Sequence, residues 1–130
     1  MTNRRSIALA AFVTAAIAFA ASAALAQDPV KVAPDTYKVV TENQYVRVLD
    51  VHLKPTGKSA MHSHPGYVAV ALAACKVRFT SADGKTQVVD FKPGEPSWRD
   101  AESHSAENIG TSECHALNIE VKSAAEKSSK

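Results

Sequence analysis

His62 and His64, separated only by a serine in the stretch Ala60-Met61-His62-Ser63-His64-Pro65, are the residues here best placed by type and spacing to do chemistry. In an extended strand, residues i and i+2 project to one face. Their Cα atoms then lie roughly 6.5–7 Å apart. Two imidazoles at that separation can converge on one ion, about 2.0–2.1 Å from each ring nitrogen. A helix would splay the same pair onto different faces. The pair therefore makes a metal site only if the stretch is extended. Pro65-Gly66 directly after it favours that, because a residue before proline is driven towards β and Pro-Gly marks a turn. Alone, the pair is equally compatible with two half-exposed histidines at a loop edge, but a third histidine, His104, favours a ligand set. Ser63 sits between the rings, yet alternation turns it to the opposite face, which excludes it as a nucleophile of the same site.

The elements that must position these rings begin after residue 26. Arg4-Arg5 form a positive n-region, Ile7 to Ala21 is an apolar run, and Ala24-Leu25-Ala26 matches a small-x-small cleavage site. The run is short for a membrane span, so residues 1–26 read as a cleaved secretory signal rather than an uncleaved anchor. The expected mature chain starts at Gln27 and is bacterial and periplasmic or secreted. The whole sequence carries 15 Lys+Arg against 13 Asp+Glu, and Arg4 and Arg5 leave with the leader, so the mature chain is neutral. No basic patch is left to suggest nucleic acid, and no large apolar patch suggests a membrane. The remaining length suits one compact domain over 27–122, with a Ser/Ala/Lys/Glu-rich flexible tail over 123–130.

Within that domain the pattern is strand after strand. Segments at 37–41, 45–53, 59–64, 67–73, 76–80 and 87–91, a short one around Ser97-Trp98, then 104–109 and 115–121 are rich in β-forming residues or alternate. Asn43-Gln44, Pro55-Thr56-Gly57, Asp83-Gly84, Pro93-Gly94 and Gly110-Thr111-Ser112 punctuate them. No useful 3.6-residue periodicity interrupts the series. Short strands with turns every eight to twelve residues read as an all-β sandwich or barrel.

Two segments resemble the motifs of the cupin superfamily. Gly57-Lys58-Ser59-Ala60-Met61-His62-Ser63-His64 is similar to the front half of its first motif. Pro93-Gly94 followed by His104-Ser105-Ala106-Glu107-Asn108 is similar to its second, matching at Gly94, His104 and Asn108. The resemblance covers Tyr45 to about Val121 and implies a jelly-roll β-barrel. It implies a divalent metal on His62, His64 and His104, a small-molecule ligand or substrate, and a homodimer paired through strand edges. The chain departs from the pattern where the first motif's Glu should fall, at Val68 or Ala69, neither of which can ligate. Asp100 and Glu102 stand where the family has a turn Pro and Gly. Water or Glu102, two residues from His104, is then the candidate for the fourth position.

Three neutral imidazoles suit Zn, Fe, Cu, Ni or Co, and the missing carboxylate disfavours a harder ion such as Mn. Zinc in such a shell brings the pKa of a bound water near neutrality, whereas a redox metal suits oxygen and a chelating acid. Oxygenase, isomerase and hydrolase chemistry therefore all stay open, as does a non-catalytic cupin that only holds a metal or small ligand. In a jelly roll of this order, Cys75 and Cys114 fall in turns at the same end of the barrel, on neighbouring strands. That implies a disulfide in an oxidising compartment, against the alternative of two thiolate ligands. Tyr67, Trp98 and Arg78 are candidates for the cavity wall. Arg78 and Arg99 otherwise read as solvated strand faces, and His52 and His115 as surface or edge histidines.

Overall fold

Tyr37, Leu49, Leu53, Tyr67, Ala69, Ala71, Val77 and Ala106 are buried, and their spacing along short extended segments folds two antiparallel sheets against each other. The computed structural model describes residues 27–123, so the leader read over 1–26 and the tail from 124 onward lie outside the described residues. Among the described residues, nine strands follow one helical turn, α1 (Pro29–Val32). They are β1 (Tyr37–Glu42), β2 (Val46–Leu53), β3 (Lys58–His64), β4 (Tyr67–Ala71), β5 (Cys75–Ser81), β6 (Thr86–Phe91), β7 (Pro96–Arg99), β8 (Glu102–Asn108) and β9 (Cys114–Val121). One sheet has the order β1-β2-β9-β4-β7 and the other β3-β8-β5-β6. This is the all-β jelly roll that the motifs imply. The helical turn is an addition to the strand-only reading. Asp28 caps it by accepting from Val30 N at 3.0 Å, and Pro29 opens it where no N–H is needed.

Alternation sets which residues enter the barrel. On β4, Tyr67, Ala69 and Ala71 point in; on β8, His104, Ala106 and Asn108 do. β3 adds a twist of its own. Ser59 pairs with Ala106 and His62 with His104, so β3 carries one extra residue between the two pairings. Without that bulge Ser59 and His62 would face opposite ways; with it, Ser59, His62 and His64 are all buried while Ala60 and Met61 stay exposed. Gly66, in the turn that follows, is required by close approach, since a Cβ there would lie 2.7 Å from the Trp98 ring.

An apolar cluster of Leu53, Val77, Ala106 and Cys114 fills one part of the interior, with Cys75, Phe79 and Phe91 packed against it. Asn108, fully buried, donates to the carbonyls of Leu53 and Ser112 at 2.8 Å each and accepts from Gly110 N at 3.0 Å. The Cys75–Cys114 disulfide is present, with a Cα–Cα distance of 5.2 Å. It joins the first residues of β5 and β9, which belong to different sheets, so it pins one sheet to the other rather than linking hydrogen-bonded neighbours.

That bridge spans a sequence separation of 39 residues. In the chain-entropy model a loop of this size is worth about 4 kcal/mol. Reduction, or replacement of both cysteines with alanine, is expected to lower the melting temperature by at least about 10 °C. Calorimetry with and without reductant checks this, and an unchanged transition would count against it.

Candidate metal centre

His62 and His104 face each other as a registered pair on β3 and β8, and His64 joins them one alternation along β3. All three are buried. One ring nitrogen from each lies within 4.8 Å of the other two. Ring centroids are 4.8 Å apart for His62–His64 and His62–His104, and 5.3 Å for His64–His104. The three rings are therefore brought together, two from one strand and the third from its partner.

Each β3 ring is held by a specific acceptor. The bulge that turns His62 inward also aims the Ala60 carbonyl at its Nδ1, at 2.7 Å. His64 Nδ1 donates to Glu120 Oε1 at 2.6 Å, and Arg47 Nε donates to the other oxygen of that carboxylate at 2.7 Å. Both contacts put the proton on Nδ1 and leave Nε2 as the free donor atom, the arrangement by which second partners commonly orient metal-binding histidines. His62 Nε2, His64 Nε2 and His104 Nδ1 are buried without a hydrogen-bond partner. An unsatisfied buried polar group costs about 1–3 kcal/mol, so His62 Nε2 and His64 Nε2, with His104 Nδ1 meeting only the Glu102 carboxylate at 3.3 Å, call for a ligand. The donor set fits a divalent transition ion.

Glu102 lies beside this group. Its Oε1 is 3.3 Å from His104 Nδ1, accepts from the Tyr67 hydroxyl at 2.7 Å and, with Oε2, receives the Arg99 guanidinium. Burial pushes its carboxyl up, but His104, Arg99 and Tyr67 outweigh that and hold it well below the usual range. Burial raises the Tyr67 hydroxyl well above its ordinary value, so it stays protonated.

Glu120 and Arg99 are the residues that sequence reasoning missed or misplaced. Glu120 is a buried carboxylate whose only sequence signal is an acid at an inward position of the last strand. Arg99 points inward because it pairs with Tyr67; its guanidinium lies 4.7 Å over the Phe79 ring. Of the cavity candidates, Tyr67 is in place. Arg78 is not, because Val77 and Phe79 take the inward positions of β5 and leave Arg78 outside, paired with Glu107 at 3.2 Å. Trp98 is 57% exposed, since it pairs with outward-facing Val68, and its indole N–H donates to Asp100 at 2.9 Å.

A cavity of about 50 Å³ adjoins the histidines through Tyr37, Tyr67, Arg99 and His104, with Leu53, Val77, Phe79 and Phe91 among its apolar walls. The fold and site together define a small double-stranded β-helix with a buried three-histidine group. Solved structures share that fold. A cupin domain from Bordetella pertussis Tohama I is 22% identical, with a TM-score of 0.62 over 67% of this chain and 92% of that one. A double-stranded β-helix protein from Klebsiella pneumoniae is 20% identical, with a TM-score of 0.56 over 68% and 77%. An RmlC-like cupin from Methanocaldococcus jannaschii is 10% identical, with a TM-score of 0.54 over 66% and 78%. No family model and no curated protein matches the sequence. The chain thus has the cupin fold, and its chemistry rests on its own residues.

Desolvation lowers the His62 pKa to about 4, with the neighbouring His64 and His104 adding to the effect, and burial lowers His104 as well. Because the native values lie below the unfolded value of about 6.5, the unfolded chain binds more protons on the acid side. The metal-free protein should hold its full stability above about pH 6.5 and lose it as the pH falls towards 4, by on the order of 3 kcal/mol for His62 alone. Urea unfolding at pH 7.5 and 4.5 in chelator measures this; His62→Asn should flatten the slope, and an unchanged slope would refute the assignment.

Proposed function

We propose that this chain is an exported metal-binding cupin in which His62, His64 and His104 hold one divalent transition ion facing a cavity for a small organic molecule. The observation that carries this is the convergence of three buried ring nitrogens without partners. Zn, Fe, Cu, Ni and Co all suit the imidazole set, and such an ion supplies Lewis acidity, or redox chemistry where the metal allows it, at an open position. Glu120 and the Ala60 carbonyl hold the His64 and His62 rings in the productive tautomer. Glu102, held by Tyr67 and Arg99 and 3.3 Å from His104 Nδ1, is placed to share the ion as a fourth ligand, with water as the alternative. Tyr67 and Arg99 give the cavity wall its polar groups, with the Tyr67 proton and two Arg99 N–H groups held on Glu102.

A second reading, a non-catalytic metal or small-ligand holder, draws support from Glu102, the acid beside the histidines, being already committed to Tyr67 and Arg99. The enzyme and the metal-holder readings stand on the same ion. Protein purified untagged from its natural source and washed with a chelator that strips exposed ions should retain one equivalent of metal by elemental analysis. His62→Ala, His64→Ala or His104→Ala should each abolish it, and Glu120→Gln should weaken it roughly tenfold to a hundredfold. Ser63→Ala, on the outer face, should leave it intact. Metal-free protein, or retention in all three histidine variants, would remove the centre and the enzyme and metal-holder readings with it.

Export is supported by the disulfide, which suits an oxidising compartment, and by the leader pattern of residues 1–26. Among the described residues no helix is long and apolar enough to cross a membrane. Intact-mass measurement of the natural protein should give a chain beginning at Gln27; an intact Met1 on soluble material would overturn the export proposal.

A further inference from the structure

We propose a second metal site, on the outer face of the five-stranded sheet, in which His52, His115 and Asp50 bind a divalent ion of the zinc–copper class. The face follows from parity. Leu49 and Leu53 are buried on β2, so Asp50 and His52 point outward; Cys114, Asn118 and Glu120 are buried on β9, so His115 does too. Register places His52 directly opposite His115, and the two rings stack with centroids 4.1 Å apart at 22°. Both Nε2 atoms are turned to one carboxylate. His115 Nε2 lies 2.8 Å from Asp50 Oδ1 and His52 Nε2 lies 3.2 Å from Asp50 Oδ2. A tetrahedral ion with bonds of about 2.0–2.1 Å sets its ligands roughly 3.3 Å apart, so the two rings must tilt out of their stack to aim both Nε2 atoms at it.

A second carboxylate completes the arrangement. Glu113 Oε1 lies 2.9 Å from His52 Nδ1, so that ring can donate from Nδ1 to Glu113 and present Nε2 as the donor atom. The same device orients His64 through Glu120 in the buried group. Side-chain exposures of 42% for His52, 37% for His115 and 31% for Asp50 let solvent reach the ion, so binding costs little desolvation and water fills the remaining positions. Two imidazoles and a carboxylate are a borderline donor set, suited to Zn²⁺ or Cu²⁺ rather than Ca²⁺ or Mg²⁺. The sheet itself separates this site from the buried histidines, so it stands or falls independently of them.

The test uses the full folded, oxidised chain after a chelator wash. Titration with Zn²⁺ should show one exchangeable equivalent that His52→Ala and His115→Ala each abolish and that His62→Ala retains. Glu113→Gln should weaken that equivalent roughly tenfold to a hundredfold without changing the stoichiometry. Cu²⁺ in its place should give an electron paramagnetic resonance spectrum with hyperfine coupling to two imidazole nitrogens. In the unmutated protein, Zn²⁺ should protect His52 and His115 from carbethoxylation mapped by mass spectrometry, a readout that needs no variant to fold. Equal modification with and without Zn²⁺, or an exchangeable equivalent that survives both alanine variants, would overturn the proposal. Loss of that equivalent in His62→Ala alone would assign it to the buried group and equally overturn it.

Discussion

A carboxylate buried to the extent of Glu120, 2% exposed, is tolerated only where its charge is met on both oxygens. Arg47 meets one and His64 the other, and the second arm of Arg47 reaches Asp28, the cap of the N-terminal helical turn, at 2.9 Å. The chain Asp28–Arg47–Glu120–His64 therefore ties α1, β2, β9 and β3 together through ionic hydrogen bonds. It also fixes the ring that faces the other two histidines. Removing Glu120 would leave Arg47 with Asp28 as its one acidic partner among these and free the His64 ring to rotate. Stability and site geometry thus hang on one interaction, and the N-terminal segment is part of it. The Gln27 carbonyl accepts from Ser63 N at 2.8 Å, directly between the two β3 histidines in sequence.

The features legible in the sequence are those encoded by local spacing. His-x-His converges because alternation is a property of any strand, and the strand series was visible from turn residues and β-branched runs. Asn108, a motif position, satisfies backbone groups, and Ser63 faces away, bonded to Ser103. What was hidden depends on partners distant in sequence. Glu120 is 56 residues from the histidine it orients. Arg78 and Arg99 looked alike as charges on strands, and only the pairing of β7 with β4 decides that Arg99 turns inward while Trp98 turns out. The β3 bulge was equally invisible, because an extra residue in one strand is defined only against the register of the other. His52 and His115 looked like isolated edge histidines for the same reason: their proximity is a consequence of β2–β9 register.

Strand β9 shows how tightly the two proposed sites are coupled through parity. Its inward residues supply Cys114 to the disulfide and Glu120 to His64, while its outward residues supply His115 to the outer group. A one-residue slip would reverse every one of these directions at once, leaving Glu120 in solvent and His115 in the apolar interior. The strand is held against that slip at its start by the Cys75–Cys114 bridge and near its end by Glu120 on Arg47 and His64. Between them it pairs on both edges, with β2 and with β4. The disulfide therefore has a role beyond unfolded-state entropy. By fixing the register where β9 begins, it helps aim residues on both faces of the sheet, so its loss should disturb ring geometry in both histidine groups and not stability alone.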